Sequence, residues 1–265
     1  MLQESIPKII HYCWFGKKRK SKLIKDCINS WKVHLNGYEF IEWNEKKSDL
    51  SNPFVREAYK LKKWAFVADY IRLKVLSEHG GIYLDTDMMV IRDFSELLKL
   101  SSCFFGAEDD EFISAGIIGA AKNHSFINKC LKCYDTIRIC KETDLGKIAI
   151  PRIITKLFKN EFNFSNPFNE IVKTENIIIY PALFFYPLPY TEKENIEKFK
   201  EYLSDDSFAV HLWNSSWIEM SEFYYLSKGE YSKGLKMAVN SIVIKKVINY
   251  FYLRKIVSSI KESIK

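Results

Sequence analysis

The segment Gly80-Gly81-Ile82-Tyr83-Leu84-Asp85-Thr86-Asp87 places two carboxylates, one residue apart, at the end of a short apolar run, and Met88-Met89-Val90-Ile91 resumes the apolar pattern. Ile82, Tyr83 and Leu84 predict a strand continuing to about residue 90, so Asp85 and Asp87 interrupt a buried element. Two like charges this close repel, and burying them uncompensated costs several kcal/mol, so a cation or a solvated cleft edge is expected beside them. Hard carboxylate oxygens suit Mg²⁺ or Mn²⁺, which keep coordination positions open for substrate phosphates. A bare Asp-x-Asp is weak evidence by itself, because most such pairs are solvated turn or cap residues.

The preceding residues change that balance. Residues 53–79 predict one helix, with Pro53 in the first turn, Ser51 or Asn52 as its cap and Gly80 as a left-handed stop. Asp69 and Arg72 stand at i and i+3 and project from one face. On a solvated helix this would be a surface ion pair worth a few tenths of a kcal/mol. Trp64, Ala65, Phe66, Val67, Ala68, Ile71, Leu73, Val75 and Leu76 make this helix apolar nearly all round, which favours a partly buried, positioned pair.

Phe66-Val67-Ala68-Asp69-Tyr70-Ile71-Arg72 followed by the Gly80–Asp87 segment resembles the signature of the DXD sugar transferases of glycosyltransferase family 32. Relatives of that family include the glucosylating domain of large clostridial toxins and yeast initiating mannosyltransferases. Ile6-Pro7-Lys8-Ile9-Ile10-His11-Tyr12-Cys13-Trp14-Phe15-Gly16 is similar to the family's first strand and nucleotide-binding turn. Ala209-Val210-His211-Leu212-Trp213-Asn214-Ser215-Ser216-Trp217 resembles its closing H-x-W-x-x-S-W motif. Ile178–Pro187 is similar to relatives from capsular and surface polysaccharide clusters, and reads as a strand and turn under the cleft with no binding chemistry of its own.

The resemblance implies an α/β, GT-A-like nucleotide-sugar-binding fold with a mixed, largely parallel sheet and the nucleotide over the carboxyl ends of the strands. It implies retaining, metal-dependent transfer of a hexose from a nucleotide sugar, expected to be UDP-linked, to a growing surface or capsular glycan. The catalytic set it gives is Asp69, Arg72, Asp85 and Asp87, with Asp69 and Arg72 on hydroxyls of the donor sugar. Asp87 is the direct ligand of Mn²⁺ or Mg²⁺. Asp85 holds the ribose or the metal, and His211 is a third ligand or a phosphate hydrogen bond. Trp14, Tyr83, Asp85, Ser216 and Trp217 form the donor-binding set, with Trp14 stacked on the base for about 1 to 3 kcal/mol; a core Trp14 is the alternative. The chain departs from the family pattern at Ser114–Ala120 and Ala149–Lys156, both on the expected acceptor side. On these terms Asp87→Asn abolishes transfer and leaves the metal-free thermal midpoint level or higher, since a repulsive carboxylate is removed.

The 265 residues, 47% hydrophobic and 15% aromatic, suffice for one α/β domain over residues 1–225 with a basic amphipathic helical tail over 226–265. Strands near 6–14, 38–43, 82–90 and 103–107 alternate with helices near 21–33, 53–79 and 123–140. Six cysteines include a single Cys-x-x-Cys, Cys130 and Cys133, so they read as reduced thiols rather than a zinc site. The N terminus lacks a signal-peptide core and no segment spans a membrane free of charges, so a cytoplasmic protein is expected. The net charge of +7 is concentrated in Lys17–Lys22 and in the tail. That tail either packs on the catalytic domain or rests on the anionic inner membrane face, near a lipid-linked acceptor. No nucleic-acid reading motif accompanies the charge, which leaves a nucleotide sugar and a glycan or lipid-linked oligosaccharide as partners. A toxin-like effector acting on a protein and a non-catalytic membrane scaffold stand as alternatives.

Overall fold

The structure, a computed structural model, describes residues 5–140, 143–214, 222–227, 229–243 and 248–264. It divides into two compact units, Met1–Asn214 and Ser215–Lys265. In chain order the first unit contains β1 (Ile9–Cys13), α1 (Lys22–His34), β2 (Glu39–Trp43), α2 (Pro53–Lys60), α3 (Trp64–His79), β3 (Gly81–Leu84) and β4 (Met88–Val90). There follow β5 (Cys103–Ala107), β6 (Ile113–Ala120), α4 (Ser125–Cys133), α5 (Ile150–Glu161), β7 (Val172–Lys173), β8 (Ile177–Tyr180) and β9 (Ala209–His211). Seven strands form one sheet in the order β2-β1-β3-β6-β5-β8-β7, and β4 pairs with β9 in a second, two-stranded sheet. β1, β2, β3, β5 and β8 point one way, and β6 and β7 oppose them. The expected mixed, largely parallel α/β architecture is therefore the observed one.

Local chemistry explains most boundaries and corrects several expected ones. Asn52 caps α2, its Oδ1 accepting from the Phe54 and Val55 amides at 2.9 and 3.4 Å, with Pro53 in the first turn. The expected single helix over 53–79 is two helices, because Lys62 adopts φ +55° and turns the chain between α2 and α3. Gly80 and Gly81 follow at φ +66° and +103°, and a Cβ at either would lie 2.7 Å from backbone, at Lys122 N and Ile9 O respectively. Only glycine passes between α3 and β1 there. The expected strand over 82–90 also breaks in two: the Met88 amide donates to Asp85 O at 3.0 Å, and the turn carries β4 out of the large sheet to β9. β6, absent from the expected order, is an eight-residue strand buried along its whole length. The expected helix over 123–140 stops at Cys133.

Two apolar layers enclose the large sheet. Phe54, Val67, Phe105, Phe126 and Phe158 belong to one, and Ile10, Trp31, Leu84, Phe104 and Phe185 to the other. α1 holds the small sheet, the Trp31 indole donating to Met88 O at 2.7 Å and Ser30 Oγ accepting from the Val90 amide at 2.9 Å. His11, fully buried, pins β1 to the glycine turn through Gly80 O at 2.9 Å and accepts from the Trp43 indole at 3.1 Å. Burial keeps it neutral, with its pKa lowered to about 4. The cysteines are unpaired thiols, four of them buried.

The second unit holds α6 (Glu222–Ser227), α7 (Tyr231–Val243) and α8 (Tyr250–Glu262). The Tyr252 hydroxyl donates to Glu222, and Leu226 fills the space over Gly234. α6 packs with the two later helices within this unit. Leu235, Val239 and Val243, one turn apart on α7, are 46%, 59% and 68% exposed. Among the described residues no helix is long and apolar enough to cross a membrane.

Candidate functional site

The strands that run together end at one edge of the large sheet, and the residues just past their ends form the site. Asp85 is the first residue after β3, and its amide donates to Gly116 O of β6 at 2.8 Å. Arg72 reaches its carboxylate from α3, with Nη1 3.2 Å from Oδ1, and the Tyr83 hydroxyl donates to Oδ1 at 3.0 Å. The same guanidinium pairs with Asp69 at 2.9 Å, donates to Ala115 O at 2.6 Å and lies over the Tyr83 ring at 4.5 Å. Arg72 and Asp69 are 6% and 7% exposed at the side chain, against 30% for Asp85. Burial pushes the Asp69 carboxyl up to about 7 against the pull of Arg72. Tyr83, expected to contact the donor, is 1% exposed, and its hydroxyl holds Asp85 in place. Asp69 and Arg72, expected on the donor sugar, are engaged with each other and with the strand ends.

Asp87 is held by a different element. Its Oδ1 lies 3.1 Å from His211 Nε2 on β9, its Oδ2 accepts from the Asn214 amide at 2.9 Å, and its carbonyl accepts from the Leu212 amide at 2.9 Å. Burial works against both charges, yet mutual attraction outweighs it: His211 is held above its ordinary pKa, and Asp87, also hydrogen-bonded, below its own. Trp213 stands edge-on to His211 at 4.2 Å and donates to Leu188 O at 2.7 Å. It does so at φ +45°, a strained conformation for a non-glycine residue and of the kind that collects at functional sites.

Asp85, Asp87 and His211 each bring a ligand atom within 4.8 Å of the others. The donor set suits a divalent cation: two carboxylates, one of them part-exposed, and an imidazole whose Nδ1 is buried without a hydrogen-bond partner among the described residues. The expected metal set is thus brought together. Trp14 stands just past β1, half-buried, its indole donating to Lys18 O at 2.7 Å and its ring facing Lys20 at 5.0 Å. It is an edge residue rather than a core one. Ser216 and Trp217 lie outside the described residues.

Two residues here were not legible in the sequence. Tyr186 sits in the segment read as having no binding chemistry. Its hydroxyl is buried without a partner of good geometry among the described residues, and its ring meets His211 at 5.5 Å. A Cβ on Gly116 would lie 2.7 Å from that hydroxyl and 3.2 Å from Asp85 Oδ2, so the glycine makes room for both. Burial raises the phenol pKa far above its ordinary value, leaving a proton donor. Glu108, the first residue after β5, is the second: burial beside Asp109 lifts its carboxyl to about 7, against the pull of His211, Ser114 and Arg152. The connection from β5 to β6 carries Glu108, the pairing of β8 with β5 leads to Tyr186, and that of β9 with β4 places His211 beside them; no local motif encodes the arrangement.

Residues 21–104, which include Asp69, Arg72, Asp85 and Asp87, match the family described as a glycosyltransferase sugar-binding region containing a DXD motif. The chain is a glycosyltransferase. It is similar to an uncharacterised glycosyltransferase of Acanthamoeba polyphaga mimivirus, 28% identical over 231 residues that cover 80% of this chain and 84% of the relative. It is 27% identical over 158 residues to the alpha-1,4-N-acetylglucosaminyltransferase of Homo sapiens, covering 58% of this chain and 44% of that one. With the lactosylceramide 4-alpha-galactosyltransferase of Rattus norvegicus it shares 24% identity over 156 residues, 56% of this chain and 40% of the relative. The glycosyltransferase therefore spans less than half the length of these two animal relatives. Among solved structures, it is similar to the PaToxG glycosyltransferase at a TM-score of 0.49 and 22% identity, covering 61% of this chain and 71% of that one.

Proposed function

We propose that this glycosyltransferase moves a hexose from a UDP-linked donor to a growing bacterial surface or capsular glycan, retaining anomeric configuration, with Mn²⁺ or Mg²⁺ held by Asp85, Asp87 and His211. One observation carries the reading: two carboxylates and an imidazole within 4.8 Å of one another at the carboxyl edge of a largely parallel sheet. A bound divalent cation supplies positive charge where the diphosphate leaving group gains negative charge. Arg72 and Tyr83 fix the direction of the Asp85 carboxylate, and His211 and the Asn214 amide fix that of Asp87. Trp14, half-exposed one residue past β1, is assigned to the donor base, and the Tyr186 hydroxyl to a donor oxygen above Gly116. The named animal relatives transfer N-acetylglucosamine or galactose into α linkages. That supports a hexose donor, and an α product from an α-linked nucleotide sugar is retention.

The test is calorimetric titration with a panel of UDP-sugars, with and without Mn²⁺. Binding of at least one UDP-sugar that strengthens with Mn²⁺ is expected. An absence of metal-linked nucleotide binding sinks the proposal. The exposed Leu235, Val239 and Val243 row, with exposed Lys236 alongside, supports contact of the second unit with an anionic membrane carrying a lipid-linked acceptor. Co-sedimentation with phosphatidylglycerol vesicles, lost when the three apolar residues become Ser, is the expected outcome; equal sedimentation of that variant rejects the membrane contact.

A further inference from the structure

We propose that the groove beside α5 binds an anionic single-chain lipid, the phosphate-bearing anchor of a lipid-linked acceptor. The acceptor role rests on the glycosyl-transfer reading above, while the lipid chemistry stands on the groove alone. The groove has a volume of about 800 Å³, within the range of about 300 to 1,000 Å³ usual for small-ligand sites. It shares no residue with the Asp85, Asp87 and His211 set. Its apolar lining is Phe112 in the turn before β6, Ile137 after α4, Ile148 just before α5, and Ile153 and Leu157 on α5, all half-buried. Ala149–Lys156, where the chain departs from the family pattern on the expected acceptor side, supplies part of it.

The charge on the groove is of one sign. Lys147, Arg152, Lys156 and Lys159 line it, and no carboxylate does so among the described residues. Of the four, only Lys147 has an ion-pair partner among the described residues, Asp144 at 3.9 Å. Arg152 lies over the Phe112 ring at 5.0 Å and Lys159 over the Phe168 ring at 5.3 Å. The placement is unfavourable in an isolated helix. Arg152, Lys156 and Lys159 follow one another at i, i+4 and i+7, so each like charge meets the next across one turn. Arg152 also stands third in α5, whose first turn holds no acid although the helix dipole favours negative charge there. A bound anion relieves both costs.

Ile153 and Leu157 each follow one of these cations by a single residue, so an ionic head and a hydrocarbon chain are held side by side. A phosphate suits the cations, because the Arg152 guanidinium presents a fork to two oxygens and Lys156 adds a point charge. A free anion would leave the apolar lining uncovered, and a neutral lipid would leave the cations unpaired. A second copy of this chain, docked groove to groove, would set like charges against each other. The groove also adjoins the site. Thr155 Oγ1 on α5 accepts from the Ile113 amide at 2.9 Å at the start of β6, the strand whose Ala115 and Gly116 carbonyls hold Arg72 and the Asp85 amide. Phe112 precedes Ala115 by three residues, on the order of 10 Å of extended chain.

The test is calorimetric titration of the full chain, without metal or nucleotide, with decyl phosphate below its micellar range. Inorganic phosphate, decyltrimethylammonium and an acidic amphipathic peptide are titrated alongside. Decyl phosphate is expected to bind one to one, at least about tenfold more tightly than each of the others. Arg152→Glu with Lys156→Glu, both at exposed positions, should weaken it at least about tenfold and leave the thermal midpoint and UDP–Mn²⁺ affinity level. Leu157→Asn, which keeps the net charge, should weaken decyl phosphate and leave inorganic phosphate unchanged. Undiminished binding by the charge variant puts the lipid elsewhere, the α7 row included, and overturns the proposal. Equal binding of inorganic phosphate overturns it in favour of a plain anion site, and tighter binding of the peptide in favour of a protein-docking groove. Self-association in light scattering that the charge variant abolishes overturns it in favour of a second copy. Failure of metal-linked nucleotide binding in the wild type removes only the acceptor role, because the lipid titration needs neither metal nor donor.

Discussion

Asp85 and Asp87 are separated by one residue yet belong to different sheets. Asp85 closes β3 of the seven-stranded sheet and is fixed by Arg72 and Tyr83, while Asp87 leads into the small β4–β9 sheet and is fixed by His211 and the Asn214 amide. The first is anchored by a buried helix that also builds the core, and the second by a strand contributed more than a hundred residues later. The proposed cation cradle is thus a seam between two sheets. Damage to the large-sheet side should fall mainly on the fold, and damage to the small-sheet side mainly on ligand binding.

The largest expected effect comes from Arg72→Met. Asp69 would remain buried with no opposite charge, and Asp85 would lose the partner that aims it. Removing one member of a buried pair costs about 3 to 5 kcal/mol, so chemical denaturation should show a loss of that size along with lost UDP–Mn²⁺ binding. A loss of binding with unchanged stability would erase the contrast between the two halves.

Asp87→Asn should abolish metal-linked nucleotide binding and transfer at a smaller cost, about 1 to 3 kcal/mol, set by the charged contact to His211. The expectation of a level or raised midpoint is overturned by that contact, because Asp87 is attracted to His211 rather than merely repelled by Asp85. The sign of the pH dependence follows. The folded-state pKa of Asp87 lies below 3.8, so its contribution is present above that value and is lost as the pH falls through the folded pKa. The folded-state pKa of His211 lies above 6.5, so its contribution is present below that value and is lost as the pH rises through the folded pKa. In chelator-treated protein, the difference in thermal midpoint between wild type and Asp87→Asn should be greatest between about pH 4 and 6.5 and shrink on either side. A difference that is flat across that range would show that the pair is not an ion pair in the free protein.

The convergence of Asp69, Arg72, Asp85 and Asp87 was readable from sequence because its parts are local. Asp69 and Arg72 share a helix face, Asp85 and Asp87 share a turn, and the glycines before them need backbone angles that other residues resist. His211 was readable through its resemblance to the family's closing motif. Tyr186 and Glu108 were not: Tyr186 reaches the site through the pairing of β8 with the distant β5, and Glu108 lies on the short connection from β5 to β6, a strand absent from the expected order. The break between α2 and α3 was missed for the opposite reason. Lys62 has no sequence mark of a left-handed turn, and packing of the two helices overrides its local preference.

Gly116 gives the cup a dimension that no rotamer sets. Where the Tyr186 hydroxyl and the Asp85 carboxylate approach residue 116, the wall is peptide, held by the Asp85 amide on Gly116 O at 2.8 Å. A side chain can swing aside for a bulkier ligand, whereas this wall moves only if β3 and β6 move together. The clearance above it is therefore a property of sheet spacing, and a substrate group resting there is measured against a ruler built from strand pairing.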